Sequence, residues 1–91
     1  MARLSDREIA DRLKALSGWA LAGNAIEKAY RFGDFKSAMA FVNRVAEVAE
    51  ELDHHPDILI QYDRVRLTLS SHDSGGVTER DFRLAGRIDA L

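Results

Sequence analysis

Three histidines lie in two short segments of this 91-residue chain, and the chain contains no other histidine. The first segment holds His54, His55 and Pro56, and the second begins at His72. Histidine is the side chain whose unperturbed pKa lets it give or take a proton near neutral pH. Carboxylates accompany both segments, and a carboxylate bonded to an imidazole fixes the tautomer of that ring. These residue types predict a site for proton transfer.

The first segment predicts two imidazoles with different tasks. Pro56 fixes the backbone, and adjacent residues in extended geometry point in opposite directions. Asp53 is a candidate to orient His54, and Glu50 precedes that histidine by one helical turn. The alternative is that the histidines only form a polar end of the helix, where a histidine interacts favourably with the C-terminal end of the helix dipole. Two histidines beside a proline, with a third at another junction, favour function.

The second segment predicts a loop that can approach a ligand. His72 follows a predicted strand, and Gly75-Gly76 lets the backbone turn tightly. Taken alone, His72 would be an ordinary surface loop residue. A predicted hairpin, however, carries it back toward His55, so we expect the two segments to be neighbours. Asp81 could cap the last helix at Thr78 or belong to the site, and the sequence leaves both roles open.

Other kinds of site are less well supported. Adjacent histidines do not easily converge on one ion, and no His-x-His or His-x-x-x-His spacing occurs. We therefore expect no metal, with a three-histidine zinc site kept as a minor alternative. The chain has no cysteine, which excludes disulfides and thiolate metal sites. No serine lies in a nucleophile elbow, and Gly75-Gly76 matches no phosphate-binding loop.

Composition predicts one ordinary globular domain spanning residues 1–91. Apolar residues make up 46% of the chain, charged residues 31%, and the formal net charge is −2. No long run of like charge is present, which argues against a nucleic-acid partner. No apolar stretch could span a bilayer and no leader pattern is seen. We expect no membrane partner and a cytoplasmic location.

The N-terminal half predicts a helix, two strands and a long helix. Ser5 and Glu8 form a capping box for a helix from about Asp6 to Leu16. A short apolar run, 19–21, is predicted to pair with an alternating strand, 26–32. A long helix then runs from Phe35 to about Leu52, and Pro56 prevents it from continuing.

The C-terminal half predicts a hairpin and a last helix. Alternating runs at 58–62 and 65–69 flank Asp63 and form a tight hairpin. Thr78 and Asp81 form a second capping box, which begins a helix marked by Phe82, Ala85 and Ile88. The order α-β-β-α-β-β-α predicts an α+β fold of two layers. A four-stranded antiparallel sheet would carry three helices on one face.

The long helix has an apolar arc of roughly 180°, where one core contact needs only about 100°. The helix is either deeply buried or covered on its second side by another subunit. We favour the second interpretation for so small a chain. It predicts a homodimer or homotetramer through the central helix, at Phe41, Val45 and Val48.

The two histidine segments together resemble the signature of the pterin-4a-carbinolamine dehydratase family. The spaced residues that carry the resemblance are Glu50, His54, His55, Pro56, Tyr62, His72 and Asp81. The strings 67–73 and 75–78 are also similar to that family. The match is close over the C-terminal half, whereas the N-terminal half matches in element order and in Gly18-Trp19.

The resemblance implies a reaction. The substrate would be a 4a-hydroxytetrahydropterin and the products a quinonoid dihydropterin and water, as in recycling of a tetrahydrobiopterin-type cofactor. It implies that neither a metal nor an organic cofactor is needed. It also implies tetramers in which the long central helices pack together.

The resemblance also assigns roles by residue. The catalytic set would be His54 and His72 as acid and base, in an order left open, with His55 binding and orienting the pterin. Tyr62 would pack flat against the pterin where some members carry Trp. The substrate-binding set would be Glu50, Asp53, Pro56, Ser71, Asp73, Ser74 and Asp81.

One alternative belongs to another class of function. The same fold could serve as a non-catalytic binding module, such as a chaperone or assembly factor for another protein. A relative used in that way would be expected to lose histidines. All three are intact here, which favours the enzyme.

Overall fold

The computed structural model describes residues 2–91 and confirms the predicted order of elements. Two single turns add to that order, at 72–74 and after the first helix. The helices and strands are α1 Asp6–Leu13, β1 Ala20–Ala22, β2 Ala25–Arg31, α2 Phe35–Leu52, β3 Asp57–Gln61, β4 Arg64–Leu69 and α3 Glu79–Asp89. The fold is α+β, as the sequence predicted.

The four strands form one antiparallel sheet in the order β1-β2-β4-β3. Side chains alternate between the two faces of each strand, so cross-strand partners share a face. Ile26 opposite Leu69 and Ile58 opposite Leu67 point toward the helices. Arg66 and Leu59 are partners on the other face, which is largely exposed and carries no helix from residues 2–91.

The core fills the space between the sheet and the three helices. Ile9, Leu67 and Leu84 are fully buried there, one from α1, one from β4 and one from α3. Lys28 interrupts the apolar face of β2. Its ammonium lies 3.2 Å from a carboxylate oxygen of Asp89 at the end of α3, so the charge has a partner at the edge of the core.

Helix caps agree with the sequence, but one boundary was wrong. Both capping boxes form, Ser5 with Glu8 and Thr78 with Asp81. The first helix ends at Leu13 rather than at Leu16. Its chain continues as turns closed by i→i−3 bonds, among them Leu16 N–H to the Leu13 carbonyl at 3.2 Å. Such bonds tighten a helix end and stop its regular ladder.

The C-terminal end of α2 determines where the first histidines lie. Asp53 adopts the left-handed conformation, with φ of 50°, and ends the helix. The His54 amide then donates to the Ala49 carbonyl at 3.0 Å. Aspartate is one of the few non-glycine residues that tolerate this backbone geometry. The turn directs the chain off the helix immediately before the two imidazoles.

The apolar arc of α2 is partly used within the chain itself. Val45 and Val48 are 0% and 5% exposed, so the prediction that they form a surface for a second subunit was wrong. Phe41 is half-buried, and its ring packs 4.6 Å from that of Tyr30 and 5.2 Å from that of Phe32, between centroids. Within residues 2–91, no helix combines the length and apolarity needed to cross a membrane.

Candidate active site

A shallow hollow of about 290 Å³ brings the three histidines together. The register of the hairpin explains the meeting, because Asp57 at the start of β3 lies opposite Thr68 near the end of β4. The residues just before β3 and just after β4 therefore reach the same end of the sheet. The hollow is lined by Asp53, His54, His55, Ser70, Ser71, His72, Asp73 and Arg80.

His54 is fixed by a buried carboxylate. Its Nε2 lies 2.6 Å from Asp81 Oδ1, and the two side chains are 11% and 0% exposed. An ionised carboxylate only accepts hydrogen bonds, so Nε2 must carry the proton that joins the pair. The neutral ring then keeps its lone pair on Nδ1. His54 is held in one tautomer, with one nitrogen left to accept a proton.

A chain of donors converges on the other oxygen of Asp81. The Thr78 amide donates to Oδ2 at 2.8 Å, and Ser71 Oγ donates to the same atom at 3.0 Å. Thr78 Oγ1 lies 2.8 Å from Ser71 Oγ and accepts from the Arg80 amide at 3.2 Å. Each hydroxyl can thus donate onward toward Asp81. Oδ1 remains for His54, which explains how a buried carboxylate is satisfied.

Asp81 therefore has both roles that the sequence left open. It completes the capping box at Thr78 and also bonds the His54 ring. Asp53 was predicted to orient His54, and that prediction was wrong. Asp53 serves as the cap of α2 and lines the hollow, while the orienting carboxylate comes from α3.

Glu50 pairs with the second histidine rather than the first. Its Oε2 is hydrogen-bonded to His55 Nε2, and both side chains are largely exposed. An exposed pair of this kind contributes little to stability, typically under about 1 kcal/mol. It restricts the His55 ring at the rim of the hollow. Glu50 itself is not among the lining residues.

His72 enters the hollow from the opposite side. It is exposed and begins the single turn 72–74. The His72 carbonyl accepts a hydrogen bond from the Gly75 amide at 3.2 Å. Gly75 adopts φ of 75°, a conformation that side-chain-bearing residues rarely adopt. Within residues 2–91, no hydrogen bond joins the His72 ring to another side chain. The ring is therefore available to a ligand.

Arg80 is a site residue that the sequence analysis missed. It lines the hollow, and its Nη2 donates to Asp73 Oδ1 at 2.5 Å. This hydrogen bond lowers the pKa of Asp73. Arg80 lies in the first turn of α3, where a cation opposes the helix dipole. That unfavourable position was the signal in the sequence, because it suggests a role outside the helix.

The remaining predicted residues divide between wall and support. Ser71 is buried and lines the hollow, and the Ser74 amide donates to its carbonyl at 3.0 Å. Ser70, which directly follows β4, also lines it. Pro56 is half-buried between His55 and β3 and does not line the hollow.

Tyr62 lies away from the other site residues, so its predicted contact with a pterin in this hollow was wrong. It forms the two-residue turn between β3 and β4 with Asp63, at φ of 55°, and is 66% exposed. The five residues of β3 separate it from the hollow. At about 3.3 Å per residue, that distance is roughly 17–20 Å.

The donor set of the hollow suits proton exchange. It offers imidazoles and carboxylates, which can exchange protons, and a guanidinium and hydroxyls, which can donate hydrogen bonds. Across residues 2–91, no three histidine, aspartate or glutamate side chains are placed to hold one metal ion.

Known proteins resemble this chain over its whole length. The family model described as pterin 4 alpha carbinolamine dehydratase matches residues 2–91. A protein of Thermomicrobium roseum is 54% identical, covering 100% of this chain and 98% of the relative. A protein of Acidobacterium capsulatum is 56% identical, covering 100% and 99%. Both are provisionally named pterin-4-alpha-carbinolamine dehydratases.

Two solved structures share the fold. A transcriptional coactivator/pterin dehydratase from Brucella melitensis has a TM-score of 0.92 and 40% identity, covering 97% of this chain and 96% of its own. A pterin dehydratase-like protein identified as a RuBisCO assembly factor in the alpha-carboxysome has a TM-score of 0.63 and 27% identity. That match covers 79% of this chain and 83% of the other. From the whole-length match and the identities above, this chain belongs to the pterin-4-alpha-carbinolamine dehydratase family.

Proposed function

We propose that this protein dehydrates a 4a-hydroxytetrahydropterin of the tetrahydrobiopterin type to the quinonoid dihydropterin, by histidine acid and base catalysis. The observation that carries the proposal is the shared hollow, in which His54, His55 and His72 meet. The pair of His54 with buried Asp81 adds a ring held in one tautomer. The relatives' names agree with a dehydratase.

The chemistry needs two proton transfers. Hydroxide is a poor leaving group, so an acid protonates the oxygen on C4a as the C–O bond breaks. The ring nitrogen next to C4a loses its proton as the C=N bond forms, and the products are water and the quinonoid dihydropterin. Each positioned acid or base typically accelerates such a step by about 10²- to 10⁴-fold. No redox step or external reactant is required.

The hydrogen bonds favour a division of labour. His54 accepts the nitrogen proton at Nδ1, because Nε2 is committed to Asp81. Asp81 then stabilises the imidazolium that forms. His72 has no competing side-chain partner among residues 2–91 and lies across the hollow, so it protonates the leaving oxygen. His55, held by Glu50, binds and orients the pterin.

The supporting residues shape the hollow. Asp53, Ser71 and Asp73 contribute to its wall and offer acceptors and backbone groups to the pterin ring. Pro56 fixes the direction of the chain after His55. The Ser74 amide closes the loop onto Ser71, which keeps His72 in place.

Stopped-flow decay of a synthetic carbinolamine tests the proposal. The wild-type protein is expected to exceed the buffer rate, and His54→Ala and His72→Ala should each lose about 10²- to 10⁴-fold in kcat. Tyr62→Ala is the matched control, because this exposed aromatic lies at the other end of β3. It should retain the wild-type rate. A wild-type protein no faster than buffer would refute the function.

A second candidate is a non-catalytic assembly module. One relative with this fold, 27% identical, is identified as a RuBisCO assembly factor. This chain keeps three histidines around one hollow, which a purely structural module does not need. A His54→Ala/His55→Ala/His72→Ala variant that complements a deletion strain as well as wild type would favour the module.

We also propose self-association through α2. Since Val45 and Val48 are already buried, the contact would use other apolar side chains of that helix, notably Phe35, which is 49% exposed, and half-buried Met39 and Phe41. Sedimentation should show a dimer or tetramer that Phe35→Glu weakens, and a wild-type monomer at micromolar concentration would end the proposal.

The cytoplasmic location stays a prediction, which cell fractionation would test.

A further inference from the structure

The loop that carries His72 is closed at its base by two backbone hydrogen bonds. The Ser71 amide donates to the Gly76 carbonyl at 2.9 Å, and the Gly76 amide donates to the Ser71 carbonyl at 3.3 Å. The second bond is longer than the usual range of about 2.7–3.2 Å. His72 directly follows Ser71, so the position of its ring depends on a closure that is weak on one side.

The side chain of Arg3 lies directly on this closure, at Gly76. A Cβ atom placed on Gly76 would lie 2.7 Å from Arg3 Nε, 2.9 Å from its Cδ and 3.2 Å from its Cγ. All three distances are shorter than the roughly 3.5–4.0 Å at which carbon atoms pack best. Only a glycine at this position lets the arginine side chain pack against the backbone of the loop.

Arg3 is held in this place at both ends of its side chain. Its Nη1 donates to the Leu4 carbonyl at 2.7 Å, and its Nη2 donates to Asp6 Oδ1 at 2.9 Å. Leu4 is buried in the core, and its amide donates to the Val77 carbonyl at 2.8 Å, directly after Gly76. The N-terminal segment is therefore fixed to the loop by its backbone as well as by the arginine.

The closure is connected to both histidines that we assign to proton transfer. His72 follows Ser71 in the chain, and Ser71 Oγ donates to Asp81 Oδ2 at 3.0 Å. The other oxygen of Asp81 lies 2.6 Å from His54 Nε2. If Gly76 moves away from Ser71, the His72 ring is displaced and the hydroxyl that supports Asp81 is disturbed.

We infer that Arg3 is a positioning residue for the dehydration. Its side chain packs Gly76 against Ser71 and thereby holds His72 at the hollow of the three histidines. Arg3 does not line that hollow, so it acts through the loop and not by contact with the substrate. The inference rests on the proposed function, because it takes His72 as the acid.

Stopped-flow decay of the synthetic carbinolamine and amide hydrogen exchange test the inference together. Arg3→Ala should lower kcat about tenfold, since a displacement of about 1 Å can cost up to about 10²-fold in rate. KM should change less than about twofold, because His55 keeps its place. The Gly76 amide should exchange about tenfold faster, since the loop opens more often.

A conservative variant should restore the rate. Arg3→Lys keeps the Cγ and Cδ atoms that lie on Gly76, and its ammonium can still pair with Asp6. Its kcat should therefore lie within about twofold of wild type. A kcat of Arg3→Lys as low as that of Arg3→Ala would overturn the packing role of the side chain.

The matched control is Arg12→Ala. Arg12 ties α1 to α3 through an ion pair with Glu79, and it is not among the residues that line the hollow. Its loss should lower the Tm and leave both kcat and exchange of the Gly76 amide unchanged. If Arg3→Ala also lowers only the Tm, its role is structural and the inference is wrong.

A double-mutant cycle with Gly76→Ala tests the contact itself. In wild type the new methyl group would displace the Arg3 side chain, whereas in Arg3→Ala there is no side chain to displace. Gly76→Ala should therefore cost less kcat in the Arg3→Ala background than in wild type. Any backbone strain at the Gly76 φ of 157° is present in both backgrounds and cancels. Equal costs would contradict the contact.

Hydrogen exchange separates this inference from the function on which it rests. Wild-type activity, with kcat and Gly76 exchange both unchanged in Arg3→Ala, would reject the inference and keep the dehydratase. A wild-type protein without activity would reject the dehydratase and the catalytic role of Arg3 with it. Faster Gly76 exchange in Arg3→Ala would then support only the packing of Arg3 on the loop.

Discussion

Replacing Asp81 with Asn removes the charge behind His54 and keeps the shape. The Asn oxygen can still accept from the Thr78 amide and from Ser71 Oγ, which now lie 2.8 and 3.0 Å from Oδ2. The amide nitrogen then faces His54 Nε2, so two donors meet where a donor and an acceptor met before. His54 must turn to its other tautomer, which places a proton on Nδ1 and blocks it as a base.

The stability cost follows from three bonds that lose their charge assistance. Hydrogen bonds to charged groups contribute about 1.5–3 kcal/mol each and neutral ones about 0.5–1.5 kcal/mol. The fully buried position prevents water from replacing them. At about 1 kcal/mol for each bond, we expect a loss of about 3 kcal/mol in the free energy of unfolding, and a Tm lower by about 12–24 °C for a chain of this size. The variant should still fold at 25 °C.

The activity cost should be larger than the stability cost suggests. With the base in the wrong tautomer, kcat should fall by about 100-fold or more. Calorimetry gives the Tm and stopped-flow gives kcat at 25 °C. Asp89→Asn is the matched control, since Asp89 accepts from Trp19 and Lys28 near the other end of α3. It should lower the Tm and leave kcat unchanged.

A double-mutant cycle with His54→Ala isolates the coupling. If Asp81 acts through His54, then adding Asp81→Asn to His54→Ala should cost little further kcat. Fully additive losses in kcat would contradict that role. A folded Asp81→Asn protein with wild-type kcat would refute the reasoning altogether.

Three further predictions concern side chains around the site and core. Burial raises the pKa of the Tyr30 hydroxyl, and the charge of Asp89 is a lesser cause. The buried neutral hydroxyl therefore contributes stability below about pH 10, and this stability is lost as the pH rises and the hydroxyl ionises. Within residues 2–91 the buried Tyr30 hydroxyl has no hydrogen-bond partner, so Tyr30→Phe should keep the free energy of unfolding or raise it by up to about 1 kcal/mol. Urea melts at increasing pH should show alkaline unfolding of the variant at a higher pH than wild type. Alkaline unfolding at a lower pH would contradict this. Glu50→Gln should raise KM about two- to fivefold and leave kcat unchanged, because Glu50 only orients His55, through an exposed ion pair. A fall in kcat with unchanged KM would count against that role. The lowered pKa of Asp73 means that its hydrogen bond to Arg80 persists above about pH 4 and is lost as the pH falls further. The bond is therefore intact at neutral pH, and Arg80→Gln should loosen the turn that follows Asp73 and speed exchange of the Gly75 amide. Unchanged exchange would reject a role of Arg80 in holding this turn.

Local patterns in the sequence predicted most of the fold. Capping boxes, alternation and the single proline act over a few residues, so they placed α2, the hairpin and α3. The hairpin register also predicted that His72 returns toward His55. At the end of α1, the apolar spacing predicted a helix to Leu16, but the regular helix ends three residues earlier at Leu13 and continues as turns.

The contacts inside the site could not be predicted in the same way. Asp81 meets His54 because α3 packs beside the end of α2, where Arg87 donates to Glu51 at 2.8 Å, and no local pattern encodes that alignment. The wide apolar arc of α2 was read as a surface for a partner. Much of it is instead covered by the chain's own sheet and α3, which only the tertiary packing reveals.

Imidazole NMR with a non-reacting, fully oxidised pterin tests most directly whether the three histidines surround one ligand. The signals of His54, His55 and His72, assigned through single His→Gln variants, should all shift and saturate with one common Kd. The indole signal of Trp19, which donates to Asp89 away from the hollow, should not move. Shifts confined to one histidine, or none at saturating pterin, would contradict a shared site.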